Sequence, residues 1–126
     1  MQRVVADCRR TESSIAIITC GLTDHPSYDA FYSCAIGGLL RDWWDVEPAT
    51  LAEIDTHTKQ FARTGIAPTE LLRAAESLLV ITPIADFDLS LGAINDAFSI
   101  RDEWNFREYG WIGETEYGLL VWETSA

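Results

Sequence analysis

The segment from Pro26 to Trp44 constrains the fold more than any other. Its large apolar residues fall at Tyr28, Phe31, Tyr32, Ile36, Leu39, Leu40, Trp43 and Trp44, with Ala35 completing the row. This is the i, i+3, i+4, i+7 spacing of one helix face, held for about four turns at ~3.6 residues per turn. A stripe of that width has to be covered. The segment is therefore expected to form a central helix lying on a sheet made by other parts of the chain. A strand from Tyr28 to Ile36 is the competing assignment, and the lack of strict alternation counts against it. Two interior glycines, Gly37 and Gly38, cost on the order of 2 kcal/mol relative to alanine. Close approach of another backbone, or a kink, is expected there in compensation.

The chain ends supply the sheet. Val4 to Cys8 and Ser14 to Cys20 are short and apolar, separated by the polar run Arg9-Arg10-Thr11-Glu12-Ser13, and read as a β-hairpin. Ile15, Ala16, Ile17 and Ile18 leave the second strand no polar face, which places it inside the sheet. Phe106 to Ile112 and Thr115 to Glu123 read as a second hairpin around Gly113-Glu114. In the last strand Tyr117, Leu119 and Val121 face one way and Leu120 and Trp122 the other, so it too is covered on both sides.

The middle of the chain reads as helical. Gly21 ends the second strand, Thr23 or Asp24 is expected to cap the central helix, and Pro26 suits its first turn. Thr50 and Glu53 have the spacing of a capping box before a helix carrying Leu51, Ile54, Thr58 and Phe61, with Gly65 as its left-handed stop. Pro68 and Thr69 open a further helix with Leu71, Leu72, Ala75, Leu78 and Leu79 inward, ended by Pro83, although its tail over Leu78 to Thr82 also suits a strand. Asp86 to Ser90 alternate over too short a stretch to assign, and Ser90 is expected to cap a short helix bearing Ile94, Ala97 and Phe98. The expected fold is α+β: one domain over residues 1–126, an antiparallel sheet from N- and C-terminal hairpins, and three to four helices packed on it.

Composition narrows the function classes. A chain of 126 residues with 48% hydrophobic content has the size and composition of one globular domain. Its longest apolar runs, Ile15 to Ile18 and Leu78 to Ile81, fall far short of the ~20 residues of a membrane span. Asp7 interrupts the place where an export signal needs its apolar core, so a cytoplasmic protein is expected. Cys8, Cys20 and Cys34 lack disulfide or metal spacing and read as buried free thiols. The net charge is −11. From residue 83 onward two arginines face nine carboxylates, which gives that part alone −7. Such a field repels nucleic acid and anionic membrane and draws in basic partners.

No catalytic or cofactor motif is present: there is no nucleophile elbow, P-loop, dinucleotide fingerprint, His-Glu-x-x-His or Cys-x-x-Cys. His25 and His57 read as surface helix residues. Cys34 sits mid-helix, away from the free backbone donors of a helix N-terminus that activate a nucleophilic thiol. Asp86 and Asp88 lack a third metal ligand. The chain is accordingly expected not to be an enzyme and to hold no cofactor or metal. A small-ligand site using Tyr28, Tyr32 or His25 remains a lesser reading, as does a structural or assembly subunit of an oligomer.

Two acidic, tryptophan-bearing segments carry the functional expectation. Asp42, Trp43, Trp44, Asp45 and Glu47 lie where the central helix ends, and Asp102, Glu103, Trp104 and Glu108 precede or enter the C-terminal hairpin. Asp42 and Asp45 also run against the helix dipole there. Aromatic anchors ringed by carboxylates suit a basic protein surface. In composition alone the chain resembles the small acidic immunity proteins, antitoxins and phage anti-defence inhibitors. Its expected partner is a basic protein, such as a toxin, a nuclease or a nucleic-acid-binding complex, with no direct nucleic-acid or membrane contact, and the chain itself a monomer or homodimer.

Overall fold

Two strands with no polar face lie side by side inside the sheet, and the rest of the chain is arranged to cover them. The computed structural model describes residues 1–43, 63–85 and 94–125. In chain order the elements are β1 (Gln2–Cys8), β2 (Ser13–Gly21), α1 (Tyr28–Trp43), β3 (Thr64–Ile66), α2 (Pro68–Ile81), β4 (Ile94–Glu103), β5 (Phe106–Gly113) and β6 (Glu116–Thr124). The strands make a six-stranded sheet in the order β1-β2-β6-β5-β4-β3, antiparallel at every pairing. Both expected hairpins are present. They meet where β2 pairs with β6, Ile17 opposite Leu120 and Ile18 opposite Leu119.

The two helices take opposite faces. Phe31, Tyr32, Ala35, Ile36 and Leu39 of α1 pack on Ala16, Ile18, Leu119 and Val121, together with Phe98 and Ile100. Leu71, Ala75 and Leu78 of α2 pack on Ile15, Ile17, Leu120, Trp122, Tyr109 and Trp111. Alternate residues of β2 and β6 thus feed two separate cores. Helix α1 crosses the strands: Tyr28 stands over Phe98 of β4, with ring centroids 4.6 Å apart, and Asp42 pairs with Arg3 of β1.

This architecture corrects the expected three to four helices. Among the described residues there are two, one on each side of a larger sheet. The short helix expected over Ile94, Ala97 and Phe98 is instead β4. Register irregularities between Ile94 and Asp96, and again between Ser99 and Arg101, explain the misreading. Each breaks the alternation, so Ile94 and Ala97 point to one core and Phe98 and Ile100 to the other. The apolar spacing that results imitates a helix. Gly65 stops no helix; it lies in β3, and no described glycine has positive φ. Ser27 caps α1 in place of Thr23 or Asp24: Ala30 N–H donates to Ser27 Oγ at 3.2 Å, while Asp24 Oδ2 accepts from Gly21 N–H at 3.1 Å. The helix expected after Thr50 and the alternation over Asp86 to Ser90 lie outside the described residues.

The glycines divide by role. A methyl group at Gly38 would meet only Arg3 Nη1, at 3.8 Å, an ordinary contact, so no close backbone approach explains this glycine. A methyl group at Gly118 would fall inside the Trp111 indole, which comes against β6 because no side chain stands there. At Gly110 it would collide with the Tyr28 hydroxyl, which passes over to donate to Gly118 O at 2.8 Å.

A chain of hydroxyls ties α2 to the sheet. Trp122 Nε1–H donates to Thr82 Oγ1 at 3.0 Å, Thr82 and Ser13 hydroxyls are 2.5 Å apart, Ser13 and Thr11 2.6 Å, and Thr11 donates to Ile81 O at 3.2 Å. The indole only donates and the carbonyl only accepts, so every proton in the chain has one possible direction. Thr82 donates to Ser13, and Ser13 to Thr11.

Chemical denaturation measures what these groups contribute. Gly38→Ala stabilises the fold by up to about 1 kcal/mol, whereas Gly118→Ala destabilises it by about 3 kcal/mol or more through overpacking. Thr82→Val, of matched shape, leaves the Trp122 N–H without its acceptor and the Ser13 hydroxyl without its donor, and costs about 2–3 kcal/mol. Thr82→Ser stays within about 1 kcal/mol of the parent.

Candidate functional site

The tip of the β4–β5 hairpin presents the one expected anchor whose side chain is described. Glu103 pairs with Phe106 across a turn of two residues, Trp104 and Asn105, leaving the indole 71% exposed. The turn itself is tied down: Thr124 N–H donates to Asn105 O at 3.0 Å, and Arg107 Nε–H to Glu103 O at 3.3 Å. The flanking carboxylates are each met by an arginine. Arg101 donates to Glu103 Oε2 at 3.0 Å with its guanidinium 4.3 Å from the Phe106 ring centre, and Arg107 Nε stands 3.6 Å from Asp102 Oδ1. These arginines were not read from the sequence as parts of the site. The signal was present, since a two-residue hairpin places Arg107 directly opposite Asp102, and Arg101 and Glu103 are two apart on one strand face.

Asp42, from the other acidic segment, lies elsewhere. Asp42 is exposed on the last turn of α1 and pairs with Arg3 of β1, which offsets the helix-dipole penalty expected there. Trp43 is the last residue of α1; Trp44, Asp45 and Glu47 lie outside the described residues. Asp42 meets the edge strand β1, and Trp104 extends from β4, four strand spacings away. At ~4.8 Å per strand that is about 19 Å, so Asp42 and Trp104 do not share one small patch.

Glu108 faces inward. It is fully buried, on the α1 side of β5, and its Oε2 accepts from the Tyr32 hydroxyl at 2.7 Å. Burial and the adjacent Glu108 carboxylate push the Tyr32 pKa far above the usual tyrosine value. Burial also pushes Tyr28 well above that value, and burial with Asp102 nearby raises Tyr109. Tyr28 also carries Arg63 on its ring, 4.9 Å from the centroid, with Arg63 ion-paired to Asp29. Tyr28 and Tyr32, read from the sequence as possible ligand contacts, are thus committed to holding α1 on the sheet.

The cysteines differ from one another: Cys20 is buried, Cys8 half-buried and Cys34 exposed, all with free thiols. Among the described residues no three His, Cys, Asp or Glu side chains are grouped so as to hold a metal ion, and no helix is long and apolar enough to cross a membrane. No protein family, curated protein sequence or solved structure matches the chain.

The buried tyrosines set the alkaline limit of the fold. Their pKa values are raised in the folded chain, so the unfolded chain loses these protons first. Stability is complete below the ordinary tyrosine pKa of about 10 and falls above it, by about 1.4 kcal/mol per pH unit for each tyrosine held neutral. Urea titrations from about pH 8 to 12 measure this. Tyr32→Phe lowers stability at neutral pH by about 1–3 kcal/mol and makes the alkaline fall shallower by one proton.

Proposed function

We propose that this protein binds a basic protein partner and blocks that partner's cationic site, as an inhibitor of the immunity, antitoxin or phage anti-defence type. The observation that carries this reading is Trp104, an indole 71% exposed on a hairpin tip whose backbone is hydrogen-bonded in place. Burying a tryptophan removes some 150–250 Å² from water, worth several kcal/mol at ~25 cal/mol per Å². A fold that leaves this one in water forgoes that stabilisation, and a pre-set aromatic anchor in a partner's pocket recovers it.

Charge has a separate part. Asp102 and Glu103 are engaged by Arg107 and Arg101, so at the tip they orient more than they attract. Attraction comes from the whole molecule, at −11, which speeds encounter with a cationic surface. Three cysteines without a disulfide suit a reducing compartment, and in this reading the protein acts in the cytoplasm.

Affinity capture from the source cells, with the parent and Trp104→Ala in parallel, tests the reading. The parent is expected to retain a basic protein that Trp104→Ala loses, at ~2 kcal/mol or roughly 30-fold in affinity, with no change in melting temperature. Raising salt from about 50 to 500 mM shortens the Debye length to a few Å and is expected to slow association steeply. Capture that ignores both the tryptophan and the salt overturns it.

A further inference from the structure

The two edges of the sheet are unequal. β3 offers three residues at one edge, whereas β1 offers seven at the other, with β2 bonded to one side of it and, among the described residues, no strand on its outer side. Arg3, Val5 and Asp7 stand opposite Ile18, Ala16 and Ser14, and so share the α1 face of the sheet. Val5 is 43% exposed at the middle of this row. Arg3 and Asp7 lie two residues to either side of it, opposite in charge.

We propose that β1 pairs antiparallel with β1 of a second copy of this chain, about a two-fold axis at Val5, joining two sheets into one of twelve strands. In that register Val5 opposes Val5, and Arg3 of each chain opposes Asp7 of the other, so one symmetric row carries two ion pairs. A two-fold through a residue satisfies the ladder whether Val5 falls at a hydrogen-bonded or a non-hydrogen-bonded position. Neighbouring registers that keep side chains on the same face are worse. One places Arg3 against Val5 and Asp7 against Met1. The other places Arg3 against Arg9 and Val5 against Asp7. Charged residues on an edge strand are also a common device against pairing. Here their placement is self-complementary under the one symmetry a dimer of this kind uses.

Existing contacts leave both groups suited to the role. Ser14 donates its hydroxyl proton to Asp7 Oδ1 at 2.6 Å, which orients the carboxylate without neutralising it. Arg3 already meets Asp42, and a guanidinium with five N–H donors serves two carboxylates. Two chains of −11 repel at long range, and salt near 150 mM shortens that repulsion to about 8 Å. A single strand pair is a small interface, so the dimer belongs in the micromolar range or weaker, around 10⁻⁶ to 10⁻⁴ M. The inference is independent of the partner proposed for Trp104, which lies on the β4–β5 turn away from β1.

Sedimentation velocity on the full chain, from about 1 μM to 1 mM, is the test. The parent is expected to move from monomer to dimer over that range. Arg3→Asp and Asp7→Arg are each expected to weaken the dimer roughly 10-fold or more, although Asp7→Arg lowers the net repulsion. The double exchange Arg3→Asp/Asp7→Arg is expected to restore it. Val5→Lys, which sets like charges together on the axis, gives a monomer while melting as the parent does. A parent that stays monomeric throughout, a double exchange that rescues nothing, or a dimer indifferent to Val5→Lys would each overturn the proposal.

Discussion

A strand whose side chains are apolar on both sides has to be covered on both sides, and two such strands sit side by side inside this sheet. β2 and β6 carry Ile15, Ile17, Leu120 and Trp122 to one side and Ala16, Ile18, Leu119 and Val121 to the other, and the three isoleucines and the alanine of β2's central run are all but inaccessible. One helix cannot shelter such a sheet. The chain therefore leaves β2 to lay α1 over one side, and later lays α2 over the other before β4, β5 and β6 close the sheet. Three layers follow from two short stretches of sequence.

Apolar burial is non-directional and does not by itself choose one seat for each helix. The polar groups inside the layers do. Tyr28 reaches Gly118 O, Tyr32 reaches Glu108, and the hydroxyl chain from Trp122 to Ile81 O locks the end of α2 against the β1–β2 turn. Each link has a fixed donor and acceptor, so sliding either helix by a turn would strand several buried groups at once. Gly110 and Gly118 belong to the same device, because only a bare backbone lets Tyr28 and Trp111 come so close.

The helical stripe and the two-faced strands were legible because their cause is local: the period of apolar residues is the direct record of a buried face. The capping of α1 by Ser27 was less so, since Thr23, Asp24 and Ser27 are all good caps and the chain between them decides which is used. β4 was misread for a clear reason: its two irregularities move residues between faces and erase the alternation by which a strand is recognised. For the candidate site, the exposure of Trp104 and the burial of Glu108 could not be told apart from sequence, as both lie in one acidic, aromatic run. Strand register separates them. Trp104 falls on a turn, and Glu108 falls opposite Val121 beneath α1.

The three-residue strand β3 has a consequence for how this molecule can grow. A free strand invites addition, and a sheet with two long open sides would elongate without limit into fibrils. Thr64 to Ile66 present too few main-chain groups to template another chain, and Arg63, seated on Tyr28 and Phe98, crowds the same border with charge. Accretion from that side is blunted. An acidic molecule with so apolar an interior is in this way protected from polymerisation by the shortest of its described elements.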